Sequence, residues 1–159
     1  MACDATARLY DVDEDTLVFK KLQKSEKYDQ GTVTFRARSG RLIDLDKLHE
    51  SIWATRLSGG TRSGLVSLEV TAIGKVSAAE EEAVLAVAGS DSQFVLRKNA
   101  DGDHADAFDQ LMKVAGSDST VRVTGRIADY SGRWPDVLQK RPAKPRQLLV
   151  TKIEIVKQS

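Results

Sequence analysis

The residues of this chain that are able to do chemistry gather in a few short stretches, the densest running from Ser131 to Gln147. All three prolines (Pro135, Pro142 and Pro145) lie there beside Trp134, and five basic residues, Arg133, Lys140, Arg141, Lys144 and Arg146, stand against a single acid, Asp136. Basic side chains near a flat aromatic suit an anionic ligand. For a single-stranded nucleic acid they supply charge for the phosphates and a stacking plane for a base. Lys75, Phe94, Arg97, Lys98, Arg126 and Tyr130 extend this ligand-binding set into flanking segments. A plainer reading stands beside it: a proline-bearing basic loop is often only solvated, Trp134 packs down to anchor it, and Phe94 belongs to the core.

The opposite charge collects between Asn99 and Asp109, with Asp101, Asp103, Asp106, Asp109 and His104. An EF-hand loop needs Gly at its sixth position and Glu at its twelfth. Counting from Asn99 gives His104 and Gln110, and counting from Asp101 gives Asp106 and Met112, so both registers fail. Asp103 as a helix N-cap, with Asp106 in the first turn, accounts for the same residues without a metal. Asp11, Asp13, Glu14 and Asp15 read as a solvated turn, as does the run Glu80-Glu81-Glu82.

Nothing in the sequence assembles a catalytic set. His49 and His104 fall on different predicted helices, with His49 expected to face solvent. No Ser or Cys sits in a nucleophile elbow, and no glycine-rich phosphate loop or metal-ligand pair occurs. The chain therefore reads as non-enzymatic, with no cofactor and no metal site. Its one cysteine, Cys3, excludes a disulfide within the chain and a cysteine-based zinc site. Met1-Ala2-Cys3-Asp4 fits a mature bacterial lipoprotein whose signal was removed at a lipid-bearing Cys3, placing it at the periplasm or envelope. It fits equally a cytoplasmic protein with a stray N-terminal cysteine.

These groups must be held by a scaffold, and composition bounds it. The chain has 159 residues, 41% hydrophobic and 30% charged, with a formal charge of +1. Those values fit a folded domain or two small ones, and give no global reason to expect binding to nucleic acid or membranes. No apolar run is long enough for a membrane-spanning helix.

Residues 8–22 and 31–38 read as strands joined by the charged stretch from Lys20 to Gln30, a hairpin. Asp44 caps a helix through about Leu57, with Leu45, Leu48, Ile52 and Trp53 as its buried stripe. Ser58 to Gly64 carries three glycines and marks a boundary between residues 1–60 and 67–157. Beyond it, strands are expected over 68–76, 83–88, 93–98, 120–127 and 148–156, with a helix over 104–114 whose apolar side is Ala107, Phe108, Leu111 and Met112. The hexapeptide Val-Ala-Gly-Ser-Asp-Ser occurs twice, at 87–92 and at 114–119. Gly permits positive φ there and Ser or Asp bonds its own backbone, so this reads as one turn chemistry used twice rather than a repeat unit.

Three strands, a helix and two more strands, with Gly74-Lys75-Val76 after the first and Thr124-Gly125-Arg126 before the long loop, resemble an OB-fold of the bacterial tRNA-anticodon-binding-like set. That resemblance covers residues 67–157. It implies a five-stranded barrel in which Gly74 and Gly125 sit at strand bends, and a ligand framed by the 131–147 loop. Residues 1–66 weakly resemble the ferredoxin-like heavy-metal-associated scaffold, without its Cys-x-x-Cys pair.

The expected class is therefore α+β and mostly β: an N-terminal hairpin plus helix, then an OB-fold-like barrel. The expected function is a non-enzymatic module binding a protein, peptide or other anionic ligand through the barrel face and basic loop. The alternatives are a single-stranded nucleic-acid binder and a degenerate metal-handling module.

Overall fold

Strand β3 (Glu69–Ala79) organises the second half of the chain because it is long enough to pair twice. Its residues Glu69–Lys75 run antiparallel to β6 (Thr120–Ile127), and Gly74–Ala79 run antiparallel to β4 (Glu82–Val87). Only Gly74 and Lys75 pair on both sides. Strand β4 continues to β5 (Gln93–Lys98), which lies parallel to β7 (Arg146–Val156), and β7 returns antiparallel to β6. The five strands close into a barrel of order β3-β4-β5-β7-β6. Closure leaves no strand edge unpaired around the ring.

The computed structural model describes residues 6, 8–21, 31–54, 65, 67–79, 82–100, 104–128 and 145–157. Two compact units emerge, Met1–Leu65 and Val66–Ser159. The architecture is α+β and mostly β.

The barrel interior follows from period-two alternation along each strand. Val76, Ala83, Leu85, Phe94, Leu96, Val121, Val123, Ile127, Leu148 and Val150 are buried, and their chain neighbours face outward. Between β5 and β6 comes helix α2 (Ala105–Val114), whose fully buried Leu111 completes this core. Helix α2 packs mainly on β7, with smaller contacts to β3 and β5. Burying a side chain such as Leu111 contributes about 1.5–3 kcal/mol.

Two strands carry glycines where a side chain cannot fit. A Cβ on Gly74 would collide with the carbonyl oxygen of Ala86 and come within 2.8 Å of its carbonyl carbon. One on Gly125 would lie 2.5 Å from the carbonyl oxygen of Leu149, next to the register shift between Thr124 and Gly125. Both glycines therefore occupy close backbone approaches that leave no room for a side chain.

The repeated hexapeptide forms the same turn twice. Gly89 and Gly116 have φ of 75° and 79°. The Ser90 and Ser117 amides donate to Val87 and Val114 carbonyls at 3.3 and 3.2 Å. The two serine hydroxyls accept from the Ser92 and Ser119 amides at 2.9 and 3.3 Å. Each turn is also tied to β3, through Ala88 N–H to the Ile73 carbonyl and Gly116 N–H to the Val76 carbonyl, both at 2.9 Å.

In the first unit, β1 (Val12–Lys21) and β2 (Gly31–Ala37) form an antiparallel two-stranded sheet. The register shifts between Asp13 and Val18. There the Thr16 hydroxyl donates to the Asp13 carbonyl at 2.7 Å and accepts the Arg36 amide at 2.9 Å. The first predicted strand begins later than expected, at Val12 rather than residue 8. Its leading residues spend their backbone on local turns, Leu9 N–H to the Thr6 carbonyl and Val12 N–H to the Leu9 carbonyl.

Helix α1 (Leu45–Ala54) starts as the sequence predicts, with Asp44 Oδ1 accepting the Asp46 and Lys47 amides at 2.9 and 3.2 Å. Leu48 and Ile52 are buried and Leu45 is half-buried. His49 corrects the expectation of a solvent-facing residue: it is only 6% exposed. The reason is geometric, since it sits four positions after Leu45 and three before Ile52, on the stripe itself. At the second helix the N-cap is His104, with no side-chain cap bond, while the predicted cap Asp103 lies outside the described residues.

Candidate functional site

On the outer wall of the barrel, residues opposite the buried ones align across strands. Arg97 of β5 pairs with Leu149 of β7, Leu149 with Arg126 of β6, and Arg126 with Glu69 of β3. Glu82 of β4 extends the row, its carboxylate accepting from Arg97 Nη2 at 2.7 Å. The outward row thus reads Glu82, Arg97, Leu149, Arg126, Glu69. It exists because Leu96, Leu148, Val150 and Ile127 take the inward positions.

This row lies at the root of the basic segment. Ile127 N–H donates to the Leu68 carbonyl and Ala128 N–H to the Gln147 carbonyl, both at 2.9 Å, fixing where the chain leaves β6 and rejoins β7. Arg146 and Gln147, expected in the loop, are strand residues. Their positions pair in parallel with Phe94 and Val95, an interaction no local sequence pattern announces. Tyr130, Arg133, Trp134, Lys140, Arg141 and Lys144 lie outside the described residues, as does Cys3.

The remaining predicted binding residues divide sharply. Phe94 is 8% exposed inside the barrel, so its ring is core and not a stacking surface. Lys75 Nζ stands 3.5 Å from Asp118, Lys98 Nζ 3.4 Å from Asp109, and Arg97 is held by Glu82. On the outer wall Arg122 meets Glu154 at 2.9 Å, and Lys152 meets the other oxygen of Glu154 at 2.8 Å. The Lys152 hydrogen bond, then that of Arg122, holds the Glu154 carboxyl below the ordinary glutamate range. Exposed pairs of this kind are screened by solvent and add little to stability. Their consequence is electrostatic: the barrel wall presents charge largely cancelled at short range.

Sequence reasoning did not single out Leu149, Glu69, Arg122 or Glu154, and it read Glu82 as part of a solvated turn, whereas Glu82 opens β4 and pairs with Arg97. Half the signal was present, because Arg122, Thr124 and Arg126 alternate with Val121 and Val123 and must share the outer face. The other half, which acid stands beside which base, depends on pairings between strands far apart in sequence.

Around α2, Asp106 and Asp109 are exposed, while Asp101 and Asp103 lie outside the described residues. Among the described residues no group of three or more His, Cys, Asp or Glu side chains is placed to share a metal ion. No described helix is long and apolar enough to cross a membrane.

No protein-family model matches the chain, and no curated protein or solved structure matches it.

Proposed function

We propose that residues 67–157 form an OB-fold that acts as a non-enzymatic binding module, and that its ligand is a peptide or protein segment lying across the β5–β7–β6 wall. The fold reading is supported by the ring order β3-β4-β5-β7-β6, the single parallel pair, and a helix between the third and fourth barrel strands in chain order. The observation that carries the ligand reading is the pairing of Lys75, Arg97 and Lys98 with Asp118, Glu82 and Asp109. A polyanion draws its affinity from cations whose counterions it releases. Cations already facing carboxylates offer less of that than a mixed surface offers a peptide. A peptide carrying both signs can exchange partners with the row and cover Leu149 at its centre.

A second reading, single-stranded nucleic acid, is favoured by the five basic residues and Trp134 packed into 131–147.

One experiment separates them. A peptide-display library is selected against the whole chain and against Leu149→Glu, while labelled poly-dT and poly-U are titrated by anisotropy at low and moderate salt. Peptides enriched on the parent and lost on Leu149→Glu, with no oligonucleotide binding, support the peptide module. Salt-sensitive oligonucleotide binding that disappears in Trp134→Ala overturns it.

A further inference from the structure

At one end of the β1–β2 hairpin two tight turns face each other. The first, Leu9 to Val12, is closed by Val12 N–H on the Leu9 carbonyl at 3.2 Å. The second, Arg38 to Arg41, is closed by Arg41 N–H on the Arg38 carbonyl at 2.9 Å, with Gly40 at φ 72° as its third residue. The turns are joined by Arg38 N–H to the Asp11 carbonyl at 2.8 Å and Arg38 Nε to the Val12 carbonyl at 3.2 Å. The second turn thereby brings its first and last residues, both arginines, onto one ring. The Arg41 guanidinium carbon lies 4.9 Å and that of Arg38 5.7 Å from the centre of Tyr10.

This arrangement differs from the barrel wall. Arg38 and Arg41 are exposed, Tyr10 is 67% exposed, and neither guanidinium forms an ion pair among the described residues. The carboxylates nearby in sequence are engaged by backbone: Asp13 Oδ1 accepts the Asp15 amide, and Asp44 Oδ1 caps α1. Asp11 is half-buried and makes no ion pair with either arginine among the described residues. Two like charges are thus held beside one ring by turn geometry.

We propose that Tyr10, Arg38 and Arg41 form a binding site for a phosphate dianion, free or as a monoester. The donor inventory sets the ligand. Arg38 spends Nε on Val12 and keeps both terminal nitrogens. Arg41 gives Nη2 to the Tyr10 hydroxyl at 3.2 Å and keeps Nε and Nη1. The phenol, accepting from Arg41, has its own proton to donate. Every unspent group is a donor, matching a ligand whose oxygens only accept, and two guanidinium charges match two negative ones. A monocarboxylate would neutralise one charge and leave the other beside it. The site lies in the first unit and stands independently of the barrel reading.

The test follows arginine Nε–Hε resonances of the whole chain during titration with phenyl phosphate, inorganic phosphate and acetate at matched ionic strength and mildly alkaline pH. Saturable shifts at Arg38 and Arg41 with both phosphates are expected. Tighter binding of phenyl phosphate assigns a monoester, and equal affinity assigns free phosphate. Arg41→Gln should weaken binding by about tenfold, the scale of one lost charge-assisted hydrogen bond. Arg41→Lys, which keeps the charge but not the fork, should also bind more weakly while melting with the parent. Acetate binding as tightly as phosphate, no saturable shift, or unchanged affinity in both Arg41 variants overturns the proposal.

Discussion

Gly74 lies so close to the Ala86 carbonyl that the smallest side chain would overlap its oxygen. This contact is where β3 passes from pairing with β6 to pairing with β4, so one absent methyl group is a condition for closing the ring. Gly116 shows a different dependence: no atom would meet an added Cβ within 4 Å, but its φ of 79° is left-handed. Gly116→Ala should therefore cost about 1–2 kcal/mol for the backbone conformation alone. Gly74→Ala must displace backbone and should cost about 3 kcal/mol or more, the upper end of overpacking effects. Urea unfolding of both variants checks the order, and a reversal would refute the close approach assigned to Gly74.

The Glu154 carboxylate receives hydrogen bonds from Lys152 and Arg122, and both lower its pKa. A carboxyl depressed in the folded state stabilises fully above its unfolded value and loses that contribution as pH falls through the folded one. The expected outcome is a carboxyl-carbon NMR titration with a midpoint below the ordinary glutamate range. Lys152→Met should raise that midpoint further than Arg122→Met. Any stability difference between the parent and Glu154→Gln should fade in acid.

His49 is buried in the first unit and His104 is exposed at the start of α2. Diethyl pyrocarbonate should modify His104 first and leave His49 unmodified until the first unit opens. Mass spectrometry of a time course reads this directly, and equal rates would contradict the burial of His49.

The two hexapeptide turns each use a serine hydroxyl to hold the amide two residues on. Ser117 also donates its hydroxyl to the Val114 carbonyl at 2.6 Å. Ser117→Ala should destabilise by about 1 kcal/mol and Ser90→Ala by somewhat less, the scale of single hydrogen bonds near a surface. Thermal unfolding of the two variants provides the comparison.

Local chemistry made much of this legible. Asp44 and its cap, the Gln93–Lys98 and Thr120–Ile127 strands and the twin turns all depend on residues within a few positions of one another. His49 was legible too, because the spacing Leu45, Leu48, His49, Ile52 is that of a buried stripe, yet the sequence reading set it off that stripe and facing solvent. The ion pairs were not. Arg97 finds Glu82, Lys98 finds Asp109 and Lys75 finds Asp118 only after the barrel has closed. The same holds for Arg146, whose strand character comes from a parallel neighbour on β5.

The parallel seam between β5 and β7 has a kinetic meaning. Every other junction in the ring is antiparallel, but Phe94 must wait for Arg146 to arrive after a helix, a strand and a long connection have been laid down. Contacts so distant in sequence form late and slowly. Until they form, β5 and β6 each carry an open edge able to recruit another chain. The refolding rate should therefore be set by docking of β7. A truncation ending before Arg146 should aggregate rather than remain as a four-stranded sheet.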